Sequence, residues 1–279
     1  MLKGSFFLSK SQNNMSLQIM GVLNITPDSF YVNSRVQGID EALRRVESFC
    51  KQGIDILDIG GESTRPQSIP VPLEEEKERV IPIVEAIRKS FPKLFLSIDT
   101  YKPELAAMAI DKGVDMINDV QGGRSPKMRA LIAQSGIKYC LMHMECDAQT
   151  MQVSSHQGNI IDYLVHWFDK KTNQCTKDGI QDHQIILDPG IGFGKSIQDN
   201  IGIIKHLKQF KQRGYTVLIG LSRKSFLHKI LDATVDTVLP ATLAMGAMSL
   251  FNGADILRVH DIEEHVQIKK VIEYFYRVE

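Results

Sequence analysis

Asn24, Asp58, Asp99, Asn118, His143, Asp188, Arg223, Lys224, Arg258 and His260 share one property: each stands at or just past the end of a short apolar run, and Thr64 and Arg65 follow such a run by a few residues. Their types divide between two chemistries. The carboxylates of Asp99 and Asp188 and the amide of Asn118 suit the edge of a flat heterocycle with adjacent N–H donors, because a carboxylate accepts two parallel hydrogen bonds. Arg65, Arg258 and His260 suit a multiply charged oxyanion. Asn24 offers a neutral oxygen to Mg2+, a cation that keeps most of its waters and leans on phosphate oxygens. A heterocycle carrying a diphosphate would use both halves. Asp58 and His143 read more simply as groups that hold loops by hydrogen bonds.

Such a set needs elements that bring distant residues together. Ile19, Met20, Val22 and Leu23 form a strand-length run ending at Asn24, and Thr26-Pro27-Asp28-Ser29 is turn chemistry. The pattern recurs: 54–59, 94–98, 115–117, 139–142, 185–187, 216–219 and 255–257 read as strands, each followed by a polar loop. Helical spacing fills the intervals, over 38–52, from Leu73 onward, and over 102–111, 126–134, 160–177, 197–212, 241–251 and 261–276. Gly53, Gly113, Gly136, Gly214 and Gly253 sit just before strands, where a left-handed helix-ending glycine belongs, and Asp55, Asp115 and Asp255 follow three of them. The alternation predicts an α/β fold, a single-domain (β/α)8 TIM barrel over 18–279, with 1–17 an N-terminal extension or barrel-capping strand. A doubly wound open sheet is the alternative, since periodicity does not show that the eighth strand closes on the first. In a barrel the C-terminal strand ends converge on one mouth.

Composition narrows the function classes. Lys plus Arg and Asp plus Glu each number 33 in 279 residues, so no global field favours nucleic acid or an acidic membrane, and any anion site is local. Cys50, Cys140, Cys146 and Cys175 show no Cys-x-x-Cys spacing, and no run has the length of a membrane span or a secretory core, which fits a cytoplasmic protein. Rival motifs fail on single positions. Asp188 to Ser196 looks like a phosphate loop, but Pro189 stands where a Walker A glycine belongs and Lys195 takes the place of the third glycine of a dinucleotide fingerprint. His143-Met144-Glu145 lacks the Pro-Cys-x-x-Cys partner of a zinc deaminase.

Read jointly and in order, these stretches resemble one family, dihydropteroate synthase of folate biosynthesis. The resemblance rests on Met20 to Phe30, Gly60-Gly61-Glu62-Ser63-Thr64-Arg65-Pro66, Ser97-Ile98-Asp99-Thr100, Ile117-Asn118-Asp119, Leu141 to Met144, Leu187 to Lys195, Ser222-Arg223-Lys224-Ser225 and Arg258-Val259-His260-Asp261. It spans about Ile19 to the C-terminus.

The resemblance implies a transferase that condenses 7,8-dihydropterin-6-ylmethyl diphosphate with 4-aminobenzoate, releasing pyrophosphate. By the same resemblance, Asn24 would contact Mg2+ and the diphosphate, while Asp99, Asn118, Asp188 and Lys224 would hold the pterin. Thr64, Arg65, Arg258 and His260 would meet the diphosphate, with Lys224, Arg258, His260 and Arg65 the groups assisting departure. Phe30, Pro66 and Lys224 would flank the aminobenzoate ring, and Ser225, at a helix N-terminus, its carboxylate. Met142, Phe193, Gly220 and Val259 complete the implied contacts. The resemblance also implies a homodimer through the later helices and a target for sulfonamide analogues of aminobenzoate. It departs at Tyr31-Val32-Asn33-Ser34, where the family carries Ser-Asp-Gly-Gly. That loop leaves open a pterin-binding protein without synthase activity. Methyl transfer to a corrinoid partner shares such a barrel, but it releases no diphosphate and so needs no anion features of this kind.

Overall fold

A computed structural model describes residues 17–25, 35–63, 69–144, 158–211, 213–234 and 237–278. The eight apolar runs are eight parallel strands: β1 (Gln18–Asn24), β2 (Ile56–Gly60), β3 (Phe95–Asp99), β4 (Met116–Asp119), β5 (Lys138–Met142), β6 (Ile185–Asp188), β7 (Thr216–Gly220) and β8 (Ile256–Val259). They pair in sequence order, and β1 pairs with both β2 and β8. The barrel is closed, which settles the choice against the open sheet.

Parallel neighbours cannot be joined by a tight hairpin, so helices cross between them. These are α1 (Arg35–Gln52), α2 (Leu73–Ser90), α3 (Pro103–Asp111), α4 (Pro126–Ser135), α5 (Ile160–Lys177), α6 (Ile197–Lys205), α7 (Lys208–Lys211), α8 (Ser225–Leu231), α9 (Leu239–Phe251) and, after β8, α10 (Ile262–Arg277). The stretch expected as one helix over 197–212 is two. His206 turns its ring Nδ1 to the Gly202 carbonyl at 2.8 Å, ending α6 at Lys205 before α7 begins. The five glycines expected to end helices all have positive φ, between 72° and 111°.

Inside the barrel the period of two decides what meets what. Met20, Ile56, Met116, Cys140, Ile186, Leu218 and Ile256 form one buried apolar layer, packed against Phe95. Their strand neighbours Ile19, Leu57, Ile117, Leu141, Leu187, Val217 and Leu257 face outward into the larger core under the helices. Each such side chain contributes about 1.5–3 kcal/mol on burial. Two residues beyond the inner layer, the same inward face carries Asp58, Asn118, Met142, Asp188, Gly220 and Arg258. All but β1 and β5 thus run one or two residues further than the apolar spacing indicates, and Asp99, Asn118, Asp188 and Arg258 are strand residues of the mouth, not loop residues.

The opposite rim is built from the aspartates that follow the glycines. Asp55 accepts the Ile19 N–H at 2.7 Å and pairs with Lys269 of α10. Asp115 accepts the Leu96 N–H at 2.8 Å and pairs with Arg88, and Asp255 accepts the Val217 N–H at 2.8 Å and pairs with Lys211. Each aspartate's own N–H returns to the carbonyl of the same residue, so strand starts are clasped reciprocally and tied to a helix. The small-residue face of α9 packs on the barrel and α10, with Gly246 against Leu257 and His265.

Candidate active site at the barrel mouth

Register sets the first row of the mouth: Asn24 pairs with Gly60, Gly60 with Asp99, and Asp99 with Asn118. Beneath this row Asp58, fully buried, is a hub. It accepts from Ser97 Oγ at 2.6 Å, Asn118 Nδ2 at 3.2 Å and Arg258 Nε at 2.7 Å. Arg258 also donates to Asp99 Oδ2 at 2.8 Å. Burial alone would pull the guanidinium down, but Asp58 and Asp99 outweigh it and hold Arg258 charged. Because Asp58 takes the amide N–H of Asn118, the amide oxygen is left facing elsewhere. Asn118 Oδ1 and Asp99 Oδ1 are both buried and meet no hydrogen-bond partner among the described residues. Two unsatisfied acceptors on paired strand positions are costly unless a ligand supplies donors. Burial foremost, with Asp58 adding to it and Arg258 opposing, pushes Asp99 up to about 7.

The far side of the mouth carries Asp188 and Lys224. Asp188 Oδ1 accepts the Gly190 N–H at 2.8 Å, and burial raises its carboxyl against the pull of that bond and of Lys224. Burial pushes Lys224 down to about 8, with Asp188 opposing. Its ammonium lies 4.1 Å from the centre of the Phe193 ring. The loop holding Phe193 is organised by buried Lys195, which donates to the Gly190 carbonyl at 2.8 Å and the Phe193 carbonyl at 3.2 Å. Met142, Val120 and Met144 form a buried apolar patch with Phe193 and Tyr101 against it, a wall suited to a flat ring.

The anion side lies after β7 and β8. Ser222 Oγ accepts the His260 N–H at 3.2 Å and lies 3.0 Å from its Nδ1, and Arg223 donates to Asp261 at 2.6 Å. These contacts tie the two loops together, with His260 itself exposed. Ser225 is exposed at the first position of α8, as expected, and space is open where a Gly220 side chain would stand. Asn24 ends β1 exposed, its carboxamide beside Gly60. Among the described residues no group of three or more His, Cys, Asp or Glu could hold a metal. One neutral oxygen at the rim still fits Mg2+ held chiefly by water and phosphate oxygens.

Thr64, Arg65, Pro66 and Phe30 lie outside the described residues. The Val259 side chain is buried in the core beneath the helices, because its neighbour Arg258 takes the inward face. Only the Val259 main chain can border the mouth. His143, expected as structural, is buried edge-on to Trp167 at 4.9 Å and Tyr163 at 5.5 Å. Ser97 and Ser222, which orient Asp58 and His260, were not among the residues that sequence reasoning singled out for the site; Ser97 carries a signal in its place two residues before Asp99 on the same face.

A closed parallel barrel that turns unsatisfied buried acceptors and cations toward one mouth defines a class, barrel enzymes that hold a hydrogen-bonding heterocycle beside an anion. Residues 20–260 match the family model described as pterin binding enzyme, and the chain belongs to that family. Within it the chain groups with dihydropteroate synthases. It is 39% identical over 254 residues to the dihydropteroate synthase of Haemophilus influenzae, covering 91% of this chain and 92% of that one. The Xanthomonas albilineans dihydropteroate synthase solved with 4-aminobenzoic acid superposes with a TM-score of 0.87 at 34% identity, covering 94% of each chain. The Burkholderia cenocepacia enzyme complexed with 7,8-dihydropteroate has a TM-score of 0.84 at 36% identity, covering 94% of this chain and 92% of that one.

Proposed function

We propose that this protein condenses (7,8-dihydropterin-6-yl)methyl diphosphate with 4-aminobenzoate to give 7,8-dihydropteroate and pyrophosphate. The observation that carries the reading is the pair of buried acceptors without partners, Asp99 Oδ1 and Asn118 Oδ1, with Arg258 and Lys224 beside them. A pterin edge presents adjacent N–H donors that satisfy both oxygens, and Asp188 accepts further along the ring. The ring packs on the Met142 and Phe193 wall.

The reaction breaks the bond between the methylene carbon and the diphosphate oxygen, and the electron pair leaves with pyrophosphate. The pterin ring carries the positive character at its exocyclic carbon. The aromatic amine nitrogen then forms the new C–N bond and loses its proton. No protein nucleophile is required. Arg258, His260 and Arg65 stabilise charge growing on the departing group, which counts most where water is excluded. Lys224, above the Phe193 ring, faces both pterin and aminobenzoate, and the free N–H groups at the start of α8 beside Ser225 suit the aminobenzoate carboxylate. Thr64 and Pro66 join the diphosphate and aminobenzoate sides, Phe30 the latter. Mg2+, held by Asn24, would neutralise charge on the diphosphate.

We place the protein in the cytoplasm, as a homodimer and a target of sulfonamide analogues of aminobenzoate. Among the described residues no helix is long and apolar enough to cross a membrane. Phe251 on α9 and Phe275 and Tyr276 on α10 form an exposed aromatic group, with Tyr274 and Val271 exposed on the same helix, and such a patch supports a partner surface. The deciding experiment is pyrophosphate release by the purified protein with the pterin diphosphate, 4-aminobenzoate and Mg2+, each omitted in turn. Release that needs all three is expected. Pterin binding without release would replace this reading with a non-catalytic pterin-binding protein.

A further inference from the structure

We infer that Lys195 is a positioning residue for the pterin side of the site, setting Asp188, Phe193 and Lys224 through the turn that follows β6. Its ammonium donates to the Gly190 carbonyl at 2.8 Å, the Phe193 carbonyl at 3.2 Å and the His143 carbonyl at 3.4 Å. An ammonium has a donor for each of these main-chain oxygens. Gly190 is gripped on both sides. Its N–H goes to Asp188 Oδ1 at 2.8 Å, and its carbonyl accepts both Lys195 and the Phe193 N–H, the latter at 3.2 Å. The His143 contact fastens the same turn to the end of β5, next to Met142 of the apolar wall.

The turn reaches each of the groups assigned to the ring. Asp188 is aimed by the Gly190 N–H, and Phe193 belongs to the turn itself. Gly192, at φ +85°, lies so close to Lys224 that a Cβ there would stand 3.1 Å from the Lys224 Cδ, and the Lys224 ammonium rests 4.1 Å from the centre of the Phe193 ring. Fully buried Asn200 of α6 closes the loop from outside, accepting the Gly192 N–H at 2.8 Å and donating to the Lys195 carbonyl at 3.3 Å. The Lys195 residue is only 8% exposed. A neutral apolar side chain in its place would leave the converging carbonyls without their shared donor, and unmet buried acceptors are costly. Burying an ammonium is costly too, so stability by itself is a poor account of a lysine here. What the charge supplies is a fixed turn and a field. Burial raises the Asp188 carboxyl, and Lys195 joins the Gly190 N–H and Lys224 in opposing that rise. An ionised Asp188 accepts paired bonds from a heterocycle edge. Arg258 and His260 are held by Asp58, Asp99 and Ser222, outside this turn.

The inference rests on the reading of the mouth as a pterin and diphosphate site, and its test separates the two. Calorimetry on the full chain, with Mg2+ present throughout, would measure binding of 6-hydroxymethylpterin and, separately, of inorganic pyrophosphate, below the melting temperature of each variant. The proteins are the wild type, Lys195→Met and Lys195→Ala. Lys195→Met is expected to weaken the pterin by about tenfold or more while pyrophosphate affinity stays within about twofold, since only groups on the pterin side are displaced. Lys195→Ala is expected to lose pterin affinity likewise and to regain most of it in propylammonium, which replaces the missing stem and its charge, but not in propanol. If Lys195→Met does not fold, Lys195→Ala purified in propylammonium decides. Equal losses for both ligands, a loss for neither, or equal recovery in propanol would overturn the inference. Turnover does not enter the comparison, so a wild type that binds the pterin without releasing pyrophosphate in the complete assay would sink the synthase reading alone. A wild type that binds no pterin would overturn both.

Discussion

Arg258 donates to Asp99 Oδ2 at 2.8 Å, and the other oxygen of the same carboxyl, Asp99 Oδ1, meets no partner among the described residues. Half of the group is therefore committed to the frame and half is presented to a ligand. Burial raises Asp99 from 3.8 to about 7. Between those values the folded chain keeps a proton here that the unfolded chain has lost. The stability this group contributes is full below the lower value and is lost as pH rises through about 7. Urea midpoints between pH 4 and pH 8 are expected to show this fall, and Asp99→Asn to lack its share of it. A pterin that donates to the carboxylate favours the deprotonated form, so binding at pH 7 is expected to release a proton. Calorimetry in two buffers of different ionisation enthalpy reads that release, and equal heats would rule it out.

Lys224 is held from the opposite direction, pushed down to about 8 by burial with Asp188 opposing. Its charge is lost as pH rises through that value. The profile of kcat/KM for the pterin diphosphate is expected to be a narrow bell with arms near 7 from Asp99 and near 8 from Lys224. Lys224→Ala is expected to remove the alkaline arm. It should also reduce the use of pterin and aminobenzoate together by roughly 10 to 100-fold, the value of a hydrogen bond to a charged group. Unchanged kinetics for either substrate would reject the placement of Lys224 between them.

Gly190 has φ +68°, and a Cβ there would stand 2.0 Å from the His143 carbonyl oxygen. The contact is backbone against backbone, so no side chain can yield. The same glycine gives its N–H to Asp188. Gly190→Ala is expected to lower stability by about 3 kcal/mol or more and to abolish pterin binding, because the turn that aims Asp188 must open. A variant that melts like the wild type and binds pterin normally would contradict the turn's role.

Much of this is legible in the amino-acid sequence, for local reasons. Strand order, the left-handed glycines and the residues at the strand ends follow from periodicity and turn chemistry within a few positions of each other. Inward Asn118, Asp188 and Arg258 each lie two residues after an apolar residue of the buried layer, a parity written in the chain. The same parity turns the Val259 side chain away from that face. What local pattern could not carry is contact between distant segments. Asp58 with Arg258 is separated by 200 residues and Lys102 with Glu62 by 40, and neither partner's type announces the other. Closure of β8 on β1 is likewise a long-range fact.

The exposed rings at the C-terminal end offer a test of assembly. Phe251 and Phe275 lie 5.6 Å apart edge to face, and Phe275 is 63% exposed. If this group covers a second copy, Phe275→Glu is expected to shift sizing chromatography from dimer to monomer while leaving the melting curve of the barrel nearly unchanged. A wild type that elutes only as monomer would remove the surface from consideration.

The clasp at the opposite rim predicts a loss of stability without a loss of chemistry. Asp55 accepts the Ile19 N–H at 2.7 Å and both bonds from the Lys269 ammonium at 2.8 and 2.9 Å. Asp55→Ala strands the backbone donor that starts β1 and frees the cation that ties α10 to the barrel. A hydrogen bond to a charged acceptor contributes about 1.5–3 kcal/mol, and partial exposure of the pair places the expected cost toward the lower end of that range. The site lies at the other end of the same strands, so kcat and both KM values are expected to hold at temperatures where the variant is folded. Loss of activity ahead of unfolding would mean that the two rims are coupled through β1, whose last residue is Asn24.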